Sequence, residues 1–176
     1  MKYLKINIFV LAITFILALI LGIVACVGLT WLENLPFYKN SGDIDSMRIP
    51  LIEPYKAVRL NNGNTWSVDL IIPPENKEIY YYLEISDVEK IAVENNLIMV
   101  YSSYVSPSIV TSIGEKVLHW FVIIPSQNIE TGFETEEEFL SYIHSFGVEQ
   151  PVWIDIDEAY KQFIKTGCLY WIPNCR

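Results

Sequence analysis

Apolar residues run almost without a break from position 6 to position 32, and no charge interrupts them. Between Ile6 and Val24 only Asn7 and Thr14 are strongly polar. A helix rises about 1.5 Å per residue, and about 20 apolar residues cross a hydrocarbon core about 30 Å thick. The run therefore predicts a helix of membrane-spanning length, or the apolar part of a signal segment. Lipid offers backbone amides no water to bond, so a segment that spans must be helical. Lys2 and Lys5 precede the run and Glu33 follows it, which favours an inside N-terminus and places the rest of the chain outside the cytoplasm.

Beyond residue 32 the pattern changes to short alternations with a period of two. Residues 33–48, with Pro36 and Ser41-Gly42, read as a polar linker. The prolines at 50 and 54 predict extended chain around residues 49–54. Residues 57–60 and 66–72 flank Asn61-Asn62-Gly63-Asn64, where Asn-Gly is expected to supply the positive φ of a tight hairpin. Trp66, Val68, Leu70 and Ile72 alternate with Ser67 and Asp69, the mark of a half-buried strand. Ile79, Tyr81, Leu83 and Ile85 alternate in the same way with Tyr80, Tyr82 and Glu84. Residues 88–93 and 97–102 predict a hairpin around Glu94-Asn95-Asn96, and residues 103–114 a loop. Residues 117–124 are apolar at both parities, as in a central strand covered on both faces.

The period then becomes helical. Thr135 with Glu138 forms a capping box, and Phe139, Leu140, Ile143 and Phe146 follow at helical spacing up to Gly147. Asp155 with Glu158 opens a second helix, with Ile156, Ala159, Phe163 and Ile164 as its apolar face and Gly167 as its end. The expected fold class is α+β: an N-terminal transmembrane or signal helix, then an antiparallel sheet of five or six strands. Two C-terminal amphipathic helices are expected to cover one face of that sheet. Residues 1–32 are read as anchor or signal, 33–48 as linker and 49–176 as an extracytoplasmic domain.

Charge and cysteine content sharpen this picture. Of 12 basic residues only Lys2 and Lys5 precede the apolar run, which leaves 10 against 21 acidic residues beyond it, a net of −11. That balance opposes nucleic acid and anionic headgroups, suits a basic protein partner, and also makes a well-solvated surface. The three cysteines are Cys26, Cys168 and Cys175. The last two, close in sequence and separated by the turn residues Pro173-Asn174, form a pair suited to a disulfide in an oxidising compartment. So short a loop contributes about 2 kcal/mol, mainly by pinning the C-terminus. Zinc is excluded on ligand count, because His119 and His144 make no metal spacing with the cysteines.

Lys90-Ile91-Ala92-Val93-Glu94-Asn95-Asn96-Leu97-Ile98, Trp120-Phe121-Val122-Ile123-Ile124, the turn through Asn128 and Phe133-Glu134-Thr135-Glu136-Glu137-Glu138-Phe139 follow one another in order. Together they resemble a family of small bacterial lipoproteins and membrane-anchored proteins of unknown function, over residues 88–147. The resemblance implies surface anchoring through lipid and no particular activity. Ile23-Val24-Ala25-Cys26 resembles the lipobox of bacterial lipoproteins, which implies cleavage before Cys26 and lipid on its sulfur. The apolar run is longer than the 7–15 residues or so of a cleaved signal, so the uncleaved helix stands beside the lipoprotein reading.

No residue pattern demands catalysis. His119 reads as a core histidine bonded to a neighbour rather than a general base. His144 reads as a solvent-facing cation near a helix C-terminus. Glu134, Glu136, Glu137 and Glu138 lack the spacing and glycine of a calcium loop and fit a helix dipole instead. There is no Gly-x-Ser-x-Gly and no phosphate-cradling glycine loop, so neither cofactor nor metal is expected. Aromatic side chains are the remaining excess. Tyr80, Tyr82, Tyr170 and Trp171 are the candidate interaction surface, since Tyr and Trp join apolar area to a polar tip. The expected function is a membrane-tethered, non-catalytic protein-binding domain at the cell envelope. A carboxylate-based envelope hydrolase and an immunity-like protein against a basic toxin are the alternatives.

Overall fold

The computed structural model describes residues 35–71, 84–103, 109–111 and 114–175. The apolar run of residues 6–32, with Cys26, and the tyrosines Tyr80 and Tyr82 lie outside these residues. No helix among the described residues is long and apolar enough to cross a membrane.

Asn95 and Asn96 make a two-residue turn. Both have positive φ, 49° and 63°, as a two-residue hairpin of primed type requires. They join β5 (Glu84–Glu94) to β6 (Leu97–Ser102) in antiparallel register, Glu94 opposite Leu97 and Ile91 opposite Val100. Asn adopts positive φ more readily than most residues, and the Asn95 amide is held by donating to Phe146 O and Gly147 O. The Asn62-Gly63 dipeptide behaves differently from expectation. Neither residue has positive φ, and the chain between β3 (Lys56–Leu60) and β4 (Trp66–Asp69) is a wider loop in which Gly63 N–H donates to Leu60 O.

The sheet has more strands than the five or six expected. Its order is β1 (Gly42–Asp43), β2 (Ser46–Pro50), β3, β4, β5, β6, β9 (Trp120–Ile124), β10 (Ile129–Phe133), and β11 (Ile154–Asp155) adds to β5. All pairings are antiparallel. The extra strands of this sheet come from residues read as linker and, in β10 and β11, from residues for which no strand was expected. α1 (Leu35–Lys39), β1 and the start of β2 occupy the stretch read as linker, and the compact unit begins at Phe37. β7 (Ile109–Thr111), inside the stretch read as a loop, pairs with β8 (Gly114–Lys116), which starts at the last residue of that stretch, as a separate hairpin. The strand expected from residue 117 starts only at Trp120.

Both helices form where their caps predict. α2 (Glu136–His144) is capped by Thr135, whose hydroxyl accepts from Glu138 N–H. α3 (Ile156–Thr166) is capped by Asp155, whose carboxylate accepts from the N–H groups of Asp157 and Glu158. It ends at Gly167 in the left-handed conformation, φ 69°. Ile164, expected on the buried face of α3, is 53% exposed.

The two helices do not share a face. In β5, β6 and β9 one parity (Ile91, Val93, Ile98, Val100, Phe121, Ile123) joins the core under α3, with Ile156, Ala159 and Phe163. The other parity (Ala92, Leu97, Met99, Val122, Ile124) joins a second core under α2, with Phe139 and Ile143. One helix therefore lies on each side of three central strands, which explains why those strands are apolar at both parities. The first core also takes in Ile49, Ala57, Trp66 and Val68 from β2, β3 and β4, and Leu169 and Ile172 from the C-terminal segment. Glu130 on β10 accepts from Tyr55 Oη and from Ile71 N–H, each at 2.7 Å, so the far end of the strand order is tied back to the β2–β3 turn and the end of β4. The sheet is thus curled around the core beneath α3.

Candidate functional site

Tyr170 sits in the C-terminal segment that follows α3, and its position is decided by what happens to β5. β6 occupies one edge of β5, while β4 and β11 share the other. β11 pairs Ile154 with Ile91 and Asp155 with Lys90. Continuing that register by two residues would put Val152 opposite Val93. The ladder is instead open at this point, and the Tyr170 hydroxyl stands in the gap. Val93 N–H donates to Tyr170 Oη at 3.1 Å, and Tyr170 Oη donates to Val152 O at 3.3 Å. The freed Val152 N–H donates to a carboxylate oxygen of Glu94 at 2.6 Å. Two side chains therefore take over the bonds that a longer β11 would make, and the backbone polar groups stay satisfied.

The result is an exposed apolar corner on rigid supports. Tyr170 is 48% exposed and Val152 63% exposed. The Tyr170 ring packs edge-on against Trp171, with centroids 4.7 Å apart, and Trp171 is itself tied down by its indole N–H donating to Pro50 O at 2.9 Å. Leu169 and Ile172 on either side of this pair are buried in the core. The Cys168 and Cys175 sulfurs lie within disulfide distance, Cα–Cα 5.4 Å, and close the segment that carries Tyr170 and Trp171. Loss of hydration pushes the Tyr170 phenol above its ordinary value, with the negative Glu94 adding to the rise and the Val93 N–H bond opposing it.

Of the residues expected to form an interaction surface, Tyr170 and Trp171 are brought together here, whereas Tyr80 and Tyr82 lie outside the described residues. Val152, Val93 and Glu94 complete the corner and carried no signal in the sequence, because their roles depend on a register set by distant segments.

A second aromatic group lies on the opposite face of the sheet. Cross-strand register aligns Lys90, Tyr101, Trp120 and Phe133 across β5, β6, β9 and β10. Phe139 of α2 stacks on Trp120 at 5.3 Å, and Trp153 packs against both. The rings fill each other's contact distances, so this row reads as the packing of α2 on the sheet rather than a site.

The histidines have structural partners. His119 lies just before β9, part-buried, and its Nδ1 pairs with Ser102 O at 2.9 Å. A carbonyl only accepts, so Nδ1 carries the proton. His144 is exposed on the last turn of α2 with Nε2 bonded to Glu149 O. Glu136, Glu137 and Glu138 form the first turn of α2, as the dipole reading requires. Among the described residues no three His, Cys, Asp or Glu side chains come together to hold a metal ion. Compared with known proteins, the chain matches no family model, no curated protein and no solved structure.

Proposed function

We propose that the chain is a non-catalytic protein-binding module held at the outer side of a bacterial membrane by its N-terminal segment, through an uncleaved helix or a lipid on Cys26. The observation that carries the binding reading is the Tyr170–Val152 corner. A large aromatic ring is held half-exposed by two hydrogen bonds to its hydroxyl, next to an exposed valine. Rigid, exposed tyrosines are effective binding anchors, because they lose little conformational entropy when a partner covers them. The carboxylate of Glu94 beside the corner, and the acidic balance of the domain, suit a partner with basic residues around an apolar contact. The anchoring reading is supported by the apolar run of residues 6–32 and by the resemblance to small bacterial lipoproteins.

Site-specific photo-crosslinking in cells tests the binding reading. A photoreactive residue at Val152 should give a discrete adduct that is lost when Tyr170→Ala is added, while the same probe at exposed Asp69 on β4 gives none. No adduct above the Asp69 control would refute the assignment of this corner.

A further inference from the structure

Tyr170 is fixed by a disulfide rather than by a regular element, and this gives the corner a means of control. The segment that carries it follows the end of α3 at Gly167 and is closed on itself by Cys168 and Cys175, 7 positions apart. Both cysteines are partly exposed, so a reductant can reach them. Cys168 O accepts from the Thr166 hydroxyl and from Gln162, which ties the first cysteine to the last turn of α3. The second cysteine is held by Ile172 O through its N–H. The bridge is therefore the covalent tie between the helix end and the turn that presents Tyr170.

We propose that the Cys168–Cys175 bridge is a redox-controlled latch on the Tyr170 hydroxyl: oxidised, it holds that hydroxyl in the opened ladder between Val93 and Val152, and reduced, it lets the hydroxyl leave and the corner relax. The reductant is a dithiol. One of its thiolates attacks a sulfur of the bridge to form a mixed disulfide and releases the other cysteine as a thiolate, which takes up a proton. The second thiol of the reductant then displaces the remaining cysteine and closes the reductant's own disulfide. Two electrons and two protons pass to the cysteine pair, and the dithiol is oxidised. Leu169 and Ile172 remain suited to the core, so the segment opens more often without the domain unfolding. The loop-closure entropy of so short a ring corresponds to roughly a 30-fold rise in the open population. The inference stands on the geometry alone and does not require the protein-binding reading to be right.

The reporter is the Val93 amide, whose acceptor is the Tyr170 hydroxyl. Hydrogen exchange on the full chain, before and after dithiothreitol, should show Val93 exchange rising roughly 30-fold. Met99 and Val122, at the centre of the sheet, should stay unchanged. The Cys168→Ser/Cys175→Ser double variant should reproduce the reduced pattern without reductant. Tyr170→Phe in the oxidised protein should raise Val93 exchange at least as far, because it removes the acceptor. Val93 exchange that stays within about threefold while both thiols titrate as free would overturn the proposal. So would an equal acceleration at Met99 and Val122, which would mean that the bridge acts on global stability only. A Tyr170→Phe variant with unchanged Val93 exchange would likewise remove the hydroxyl from the mechanism.

Discussion

Asp157 holds the start of α3 on the sheet, and its removal separates the contributions at that junction. A single oxygen, Asp157 Oδ1, accepts from the Trp66 indole N–H at 2.9 Å and from Arg59 Nη1 at 2.7 Å. The Arg59 guanidinium lies over the Trp66 ring, 4.7 Å from its centroid, and Tyr160 of α3 packs against the same ring at 5.2 Å. Trp66 is 2% exposed, so an Asp157→Ala change leaves an indole donor in the core without a partner, at a cost of about 1–3 kcal/mol. The ion pair is worth less. The Asp157 side chain is about half exposed, and such pairs contribute 1 kcal/mol or so at most. Loss of a carboxylate from the first turn of α3 adds about 0.5 kcal/mol. Asp157→Ala should therefore lose about 3 kcal/mol, while Asp157→Asn keeps an acceptor for the indole and should lose about 1 kcal/mol. Urea unfolding followed by tryptophan fluorescence measures both. In a Trp66→Phe background the indole donor is gone, and Asp157→Ala should fall to about 1 kcal/mol. Equal losses for the Ala and Asn variants, or no reduction in the Phe background, would refute this division of the energy.

Three other perturbations have definite expectations. Burial pushes the Tyr55 phenol above its ordinary value, reinforced by its hydrogen bond to Glu130 and the charge of that carboxylate. A phenol raised in the folded state contributes stability that is complete below pH 10 or so and is lost as the pH rises toward the folded value. Tyr55→Phe should accordingly flatten the alkaline part of a stability–pH profile, and an unchanged slope above pH 10 or so would contradict the Glu130 tie. Phe139 is fully buried among Trp120, Phe133 and Trp153, so Phe139→Ala should lose about 3–5 kcal/mol in chemical denaturation. A loss under about 1.5 kcal/mol would mean that α2 does not seat on the sheet through this ring. Asn96→Val forces a β-branched residue into positive φ and should cost about 1–2 kcal/mol, whereas Asn96→Gly should be near neutral, both read from thermal unfolding.

Local chemistry was the legible part of this chain. Thr135, Asp155 and Gly167 marked helix ends because caps act over three or four residues, and Trp66 and Val68 marked a strand face because alternation is a local property. The double covering of β9 was also readable, since Phe121, Val122, Ile123 and Ile124 leave no polar parity. What periodicity could not assign was the sheet face against which each helix lies. α2 and α3 both carry an apolar stripe, and their separation onto opposite faces follows only from the two-parity cores of β5, β6 and β9. The Asn-Gly signal at positions 62 and 63 pointed to a tight turn, while the αL turn formed at Asn95-Asn96, where the strands on both sides are long enough to impose it. In the candidate site, Tyr170 and Trp171 drew notice through residue type alone. Their partners Val93, Val152 and Pro50 are fixed by tertiary register, and Val93 lies 77 positions from Tyr170.

The central proposal is a disulfide-closed domain held outside the cytoplasm at a membrane. Intact mass of the protein extracted from native membranes, alkylated before and again after reduction, tests that claim most directly. Cys168 and Cys175 should resist alkylation until reduced, in a chain that either begins at Met1 or begins at a lipid-bearing Cys26. Both cysteines alkylated in unreduced material, or a chain cut beyond residue 26 with no lipid, would contradict it.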